Sequence, residues 1–112
     1  MIPQIIGTKK SAAYRACLRY CRERGIAVQE RNPDEKPLSP GELDRLAALC
    51  GGYEELLDRE GSSFRKRGLA WMDFDPREEI LQDPSLLRRP IVRTDRGAAV
   101  EPEGKRLEEL LS

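Results

Sequence analysis

The 112-residue chain has no histidine, only three cysteines, and few aromatic side chains: one tryptophan, two phenylalanines and three tyrosines. Without imidazole it lacks the commonest general base and the commonest metal ligand. The odd count of Cys17, Cys21 and Cys50 suits a reducing compartment better than a disulfide framework. Cys17 and Cys21 stand four apart, on one face of a helix, but no third or fourth ligand accompanies them. They are read as small apolar side chains filling a helix–sheet interface, and no metal is expected. Net charge is absent too, because 20 Lys plus Arg balance 20 Asp plus Glu. That balance argues against a protein whose main task is coating nucleic acid. No apolar run approaches the roughly 20 residues that span a bilayer, so no membrane contact is expected. Met1-Ile2-Pro3-Gln4 lacks a basic segment leading into an apolar one, so no signal peptide is read and a cytoplasmic location is the expectation.

What the chain does contain, 38% hydrophobic and 36% charged residues, describes a globular domain with a heavily charged skin. Its length allows a real core without disulfide or metal staples. Ile2 to Ile6 is a short apolar run closed by Gly7, the pattern of a buried strand. From Ser11 to about Arg24 the residues Ala13, Tyr14, Cys17, Leu18 and Cys21 recur at helical spacing, and Gly25 fits the position just past a helix end. A second strand is expected over Ile26, Val28 and Glu30, stopped at Asn32-Pro33. Strand, helix and strand so close together predict a βαβ unit with a parallel pair.

Ser39-Pro40-Gly41-Glu42 is a capping box with proline at the first helical position, followed by Leu43, Leu46, Ala47 and Cys50 on one stripe. Asp75-Pro76-Arg77-Glu78 repeats the signature, and Asp83-Pro84 opens one more turn. Ile91-Val92-Arg93 and Ala98-Ala99-Val100, separated by Asp95-Arg96-Gly97, read as a hairpin. Leu107, Leu110 and Leu111 predict a terminal amphipathic helix over the sheet. The expectation is one α/β domain spanning 1–112, with a helical insert at about 39–88 between an N-terminal βαβ unit and a C-terminal hairpin plus helix. The cluster Trp71-Met72-Asp73-Phe74 is expected to pack an insert helix against the sheet, with an exposed recognition patch as the alternative.

Charge is uneven. Residues 1–26 carry six basic and one acidic side chain, whereas residues 27–61 carry four basic and nine acidic ones. Lys9, Lys10 and Arg15 crowd the start of the first helix, where cations oppose the macrodipole. Such placement can attract an anion to the free N–H groups of that turn, although taken alone it reads first as a solvated lysine pair on a loop.

Gly7-Thr8-Lys9-Lys10-Ser11, the stretch from Lys36 to Leu43, Gly61 to Arg65, and Leu87-Arg88-Arg89-Pro90-Ile91-Val92 together resemble the arsenate reductase/Spx family of ArsC-like proteins. The resemblance runs from about Ile2 to the terminal helix. It implies a thioredoxin-like fold with a four-stranded mixed sheet, and a first loop carrying a nucleophilic cysteine at the N-terminus of the first helix. That position is Ser11 here. By the same resemblance Arg65 and Arg89 match oxyanion-holding arginines, Lys10 lies beside the nucleophile, and Pro90 is a cis-proline facing the first loop. Tyr14 stands where the Spx branch has its second cysteine. A serine hydroxyl without a base has no significant anionic fraction near neutral pH.

Three expectations follow from the resemblance. The first is a non-redox ArsC-like protein in which Lys10, Ser11, Arg65, Arg89 and Pro90 surround a small oxyanion or a partner group without turnover. The second, should Ser11 stand in for a native cysteine, is an arsenate or thiol reductase using glutathione or glutaredoxin as co-substrate. The third is an Spx-like regulatory module that contacts RNA polymerase. In each a monomer without a resident cofactor is expected.

Overall fold

The computed structural model describes residues 1–112. Strand β1 (Gln4–Ile6) leads into helix α1 (Ala12–Glu23) and strand β2 (Gln29–Arg31), which pairs parallel to β1. Four helices follow: α2 (Pro40–Cys50), α3 (Tyr53–Leu56), α4 (Ser62–Lys66) and α5 (Pro76–Gln82). Short 3₁₀ turns occupy Leu69–Trp71 and Pro84–Leu86. The hairpin β3 (Ile91–Thr94) and β4 (Gly97–Val100) then completes the sheet, and α6 (Gly104–Leu111) ends the chain. Strand order is β2-β1-β3-β4, with β3 antiparallel to both neighbours, so the sheet is four-stranded and mixed as expected. No helix is long and apolar enough to cross a membrane.

The second strand begins three residues later than its apolar pattern suggested. Gly25, at φ +65°, donates its N–H to Arg22 O, and Ile26 donates to Cys21 O at 2.9 Å. This is a Schellman closure of α1, and it consumes the N–H of Ile26. Only at Gln29, whose N–H reaches Pro3 O at 2.8 Å, does the chain come alongside β1. Ile26 and Val28 instead pack half-buried against the α1 side of the sheet.

Period-two alternation sorts the strand side chains onto two faces. Ile5 and Val92 face α1 and α6, where they meet Tyr14, Cys17, Cys21, Leu107 and Leu110. Ile6, Ile91 and Ala98 face the insert, packing with Leu43, Leu46, Leu56, Leu86 and Leu87. The Ser39 capping box forms in full and starts α2 with its apolar stripe toward the sheet.

In the insert, Phe64 and Phe74 pack edge to face at 6.1 Å, so the packing expectation is met by Phe74 alone. Trp71 and Met72 depart from it and are 91% and 56% exposed. The turn is anchored by buried Leu69, so a side chain two positions on points away from the core.

Candidate functional site

The loop after β1 is shaped by a close approach. Gly7 extends the β1–β2 pairing through its N–H to Arg31 O at 2.9 Å and lies against the buried Tyr14 ring. A β-carbon at Gly7 would stand 2.7 Å from Tyr14 Cδ2 and 3.5 Å from Arg89 Cβ, so only glycine fits this spot undisturbed. Ser11 N–H then turns back to Thr8 O at 3.1 Å.

Ser11 is the N-cap of α1, with extended backbone angles and its Oγ accepting from Tyr14 N–H at 3.2 Å. Serine is a preferred cap because that oxygen satisfies one of the orphan N–H groups of the first turn. No acidic residue occupies this turn. Arg15 reaches back to donate to Lys9 O at 2.6 Å, which ties the lysine loop to the helix. Lys9 and Lys10 are exposed, and neither has a carboxylate partner within 4.0 Å.

Across from the lysines lies the end of β2. An open cleft of about 700 Å³ has Thr8, Lys9, Lys10 and Tyr14 on one side and Glu30, Asn32 and Glu35 on the other. Tyr14 OH donates to Glu30 Oε1 at 2.8 Å. Burial, and then the hydrogen bond to Glu30, push the Tyr14 hydroxyl far above its ordinary value, so it stays a neutral donor. The cleft thus sets two ammonium groups against two carboxylates.

The cis peptide Arg89–Pro90 precedes β3, and the β1–β3 register places buried Pro90 opposite Gly7. Arg89 is therefore beside the Ser11 loop at its Cβ, but its guanidinium turns elsewhere. It donates to Leu87 O at 3.2 Å, to Pro84 O at 2.6 Å and to Asp34 Oδ2 at 2.8 Å. Arg65 is exposed on α4, donates to Glu60 O at 2.9 Å, and opens onto a separate groove beside Trp71. The structure therefore brings Ser11, Lys10, Arg89 and Pro90 to one end of the sheet and directs Arg65 to different neighbours.

The thiols lie elsewhere. Cys17 and Cys21 are 3% and 1% exposed beneath α1, and Cys50 ends α2; all three are free. Burial is the main cause that pushes each thiol up, Cys17 to about 11. No group of three or more carboxylates or thiols converges as a metal site would require.

Glu30, Asn32, Asp34 and Glu35 are not among the site residues that the sequence suggests, although the charged turn Asp34-Glu35-Lys36 fits the family resemblance. A signal for them existed: β2 runs parallel to β1, so the loops leaving both strands lie side by side at the carboxyl end, where open α/β sheets bind ligands.

No protein-family model and no curated protein sequence matches the chain. Solved structures do. An ArsC family related protein from Bacteroides fragilis superposes with a TM-score of 0.84 at 17% identity, covering 98% of both chains. Arsenate reductase from Vibrio cholerae gives 0.79 at 23% identity, covering 97% of this chain and 94% of that one. An arsenate reductase (ArsC) related protein from Brucella melitensis gives 0.71 at 26% identity, covering 96% and 92%. The chain has the ArsC-like, thioredoxin-like fold. In this ArsC-like frame the Gly7–Ser11 loop, the α1 N-terminus and the Arg89–Pro90 loop form one edge, and that edge carries no thiol.

Proposed function

We propose that this chain is a non-redox ArsC-like protein whose Ser11 edge holds a small oxyanion without turning it over. The observation that carries the reading is the Ser11 side chain itself. Its Oγ is engaged as a helix cap 3.2 Å from Tyr14 N, at the position where the family resemblance implies the nucleophilic cysteine. A serine there needs a base to become a nucleophile. The neighbouring hydroxyl, Tyr14, is a hydrogen-bond donor to Glu30, and the chain has no histidine. The three thiols are placed under α1 and at the end of α2, with raised pKa values that suppress the thiolate.

The remaining chemistry is recognition. The first-turn N–H groups of α1 without intrahelical acceptors offer donors to an anion, and Lys10 adds a positive charge. Arg89, whose Cβ lies beside Gly7, carries a guanidinium fork that matches a tetrahedral oxyanion.

The test is an arsenate reduction assay with glutathione and with glutaredoxin, run beside an anion titration followed by amide NMR. The Ser11 protein should reduce no arsenate above background, while Ala12, Ala13 and Lys10 amide signals shift saturably with added sulfate. Ser11→Cys should introduce a thiol that alkylates faster than an ordinary cysteine, whose pKa is about 8.5. Measurable arsenate reduction by the Ser11 protein would overturn the non-redox reading, and unmoved amide signals would overturn the anion reading.

A further inference from the structure

Arg89 and Asp34 are 55 positions apart, yet their side chains form an ion pair at 2.8 Å. Arg89 Cβ lies against Gly7 of the Ser11 loop, and from there the guanidinium is drawn away to Asp34, Pro84 O and Leu87 O. Arg89 keeps only 17% of its side chain exposed, while Asp34 keeps 48%. The arginine is thus the fixed, inner member, and the aspartate is the member that solvent can reach.

Asp34 is held at that spot by its own turn. Asn32 Oδ1 accepts Asp34 N–H at 2.9 Å, and Asn32 O accepts the N–H groups of Glu35 and Lys36. The far end of the segment is clamped by Arg31, which donates to Lys36 O at 2.8 Å and Pro37 O at 2.9 Å while pairing with Glu42. The carboxylate is therefore presented to Arg89 by a pre-formed loop, not by a wandering side chain. Chemically it supplies what an oxyanion would: a negative oxygen in hydrogen-bond contact with the guanidinium.

We propose that Asp34 is a specificity-setting residue of the Ser11 edge, an internal anion that occupies Arg89 and must be displaced before an external oxyanion can use it. This rests on the anion-holding reading of that edge. The exchange swaps one carboxylate contact for one from the ligand. A monoanion offers Arg89 little that Asp34 does not already provide. A tetrahedral dianion brings twice the charge and, once Arg89 is released from Asp34 toward the Ser11 loop, spare oxygens for the α1 N–H groups and Lys10, so the latch selects dianions of the sulfate and phosphate class.

The experiment titrates inorganic sulfate, and separately formate as a monoanion, into the wild type, Asp34→Asn, Glu35→Gln, Arg89→Gln and the Asp34→Asn/Arg89→Gln pair. Circular dichroism on each variant checks the fold. Asp34→Asn should tighten sulfate about tenfold and narrow the preference for sulfate over formate. Glu35→Gln removes a like charge from the same turn without touching Arg89, so it should gain threefold or less. Adding Arg89→Gln to Asp34→Asn should erase the gain. Equal gains from Asp34→Asn and Glu35→Gln, or a gain that survives loss of Arg89, would overturn the latch and leave a general charge effect. Sulfate binding to the wild type with no change in Asp34→Asn would overturn the latch while the anion reading stands. Absence of sulfate binding in every variant would overturn both.

Discussion

Replacing Glu42 by glutamine removes one charge from the clamp that holds the loop beside the site. The Glu42 carboxylate accepts from both Arg31 Nη groups, at 3.0 and 3.1 Å, and from Ser39 N–H at 2.9 Å. Arg31 first, then Ser39, holds this carboxyl at about 2, below its ordinary 4.5. A group with a depressed folded pKa contributes its full stabilisation above the unfolded pKa and loses it as pH falls toward the folded value. At about 1.4 kcal/mol per pH unit, the gap between 4.5 and about 2 sets a ceiling of about 3.5 kcal/mol. Exposure of 26% for the Glu42 side chain and 12% for Arg31 lets water screen the pair, which lowers the expected contribution to about 1.5–2 kcal/mol. Glutamine keeps the shape and an oxygen for Ser39 N–H, so the loss reports charge and not the helix cap. Urea unfolding at pH 7 should place Glu42→Gln below the wild type by about 1.5–2 kcal/mol. The gap should shrink through pH 4 and fall to about 0.5 kcal/mol or less at pH 2. Comparing the two proteins at each pH cancels the other carboxylates. A gap that keeps its size from pH 7 to pH 2, or no gap at pH 7, would refute the linkage.

Ser11→Ala should lower stability by about 1 kcal/mol, read as a melting shift of about 4 °C, because Tyr14 N–H loses its cap; Ser11→Asp should restore it, and equal melting of all three would exclude the capping role. Gly7→Ala should cost about 1–3 kcal/mol in urea unfolding, since the new methyl displaces the Tyr14 ring at 2.7 Å and strains its bond to Glu30; an alanine protein of wild-type stability would contradict the close approach. In the native protein a disulfide reagent at pH 8 should label Cys17 and Cys21 at least a hundredfold more slowly than after denaturation, and stoichiometric native labelling within seconds would reopen a redox role for them. Because the Cys17 thiol is raised to about 11, its linkage runs in the alkaline direction: stability should fall as pH climbs from 9 toward 11.

Local chemistry is where the chain was most legible. The Ser39 box, the cap at Ser11, the proline-led starts at Pro76 and Pro84, and the hairpin around Asp95-Arg96 all depend on residues within a few positions of one another. The burial of Cys17 and Cys21 follows from the same helical phase that buries Tyr14. Sheet order is of another kind, because β1 pairs with strands from both ends of the chain, and the family resemblance supplied what periodicity does not. The site was half legible for that reason. Ser11, Lys10, Arg89 and Pro90 could be named, but where a long side chain points depends on acceptors contributed by distant segments. Arg89 is turned by Asp34, Pro84 and Leu87, and Arg65 by Glu60. Trp71 was misplaced because a hydrophobic residue next to a buried turn reads as core until Leu69 and Phe74 are seen to fill that space.

The alternation along β1 and β3 has an evolutionary consequence. Neighbours in sequence, Ile5 and Ile6 or Ile91 and Val92, belong to different interiors, one beneath α1 and α6 and one beneath the insert. Substitutions in separate interiors share no packing partners, so their costs should add instead of compounding. The lineage can then rebuild the insert side, altering Leu46, Leu56 or Phe64, without repacking Tyr14 and Cys17 beneath the α1 terminus. Relatives with this fold are free to diverge on one side at a time, and an edge such as that around Ser11 can change its chemistry while the opposite interior stays as it was.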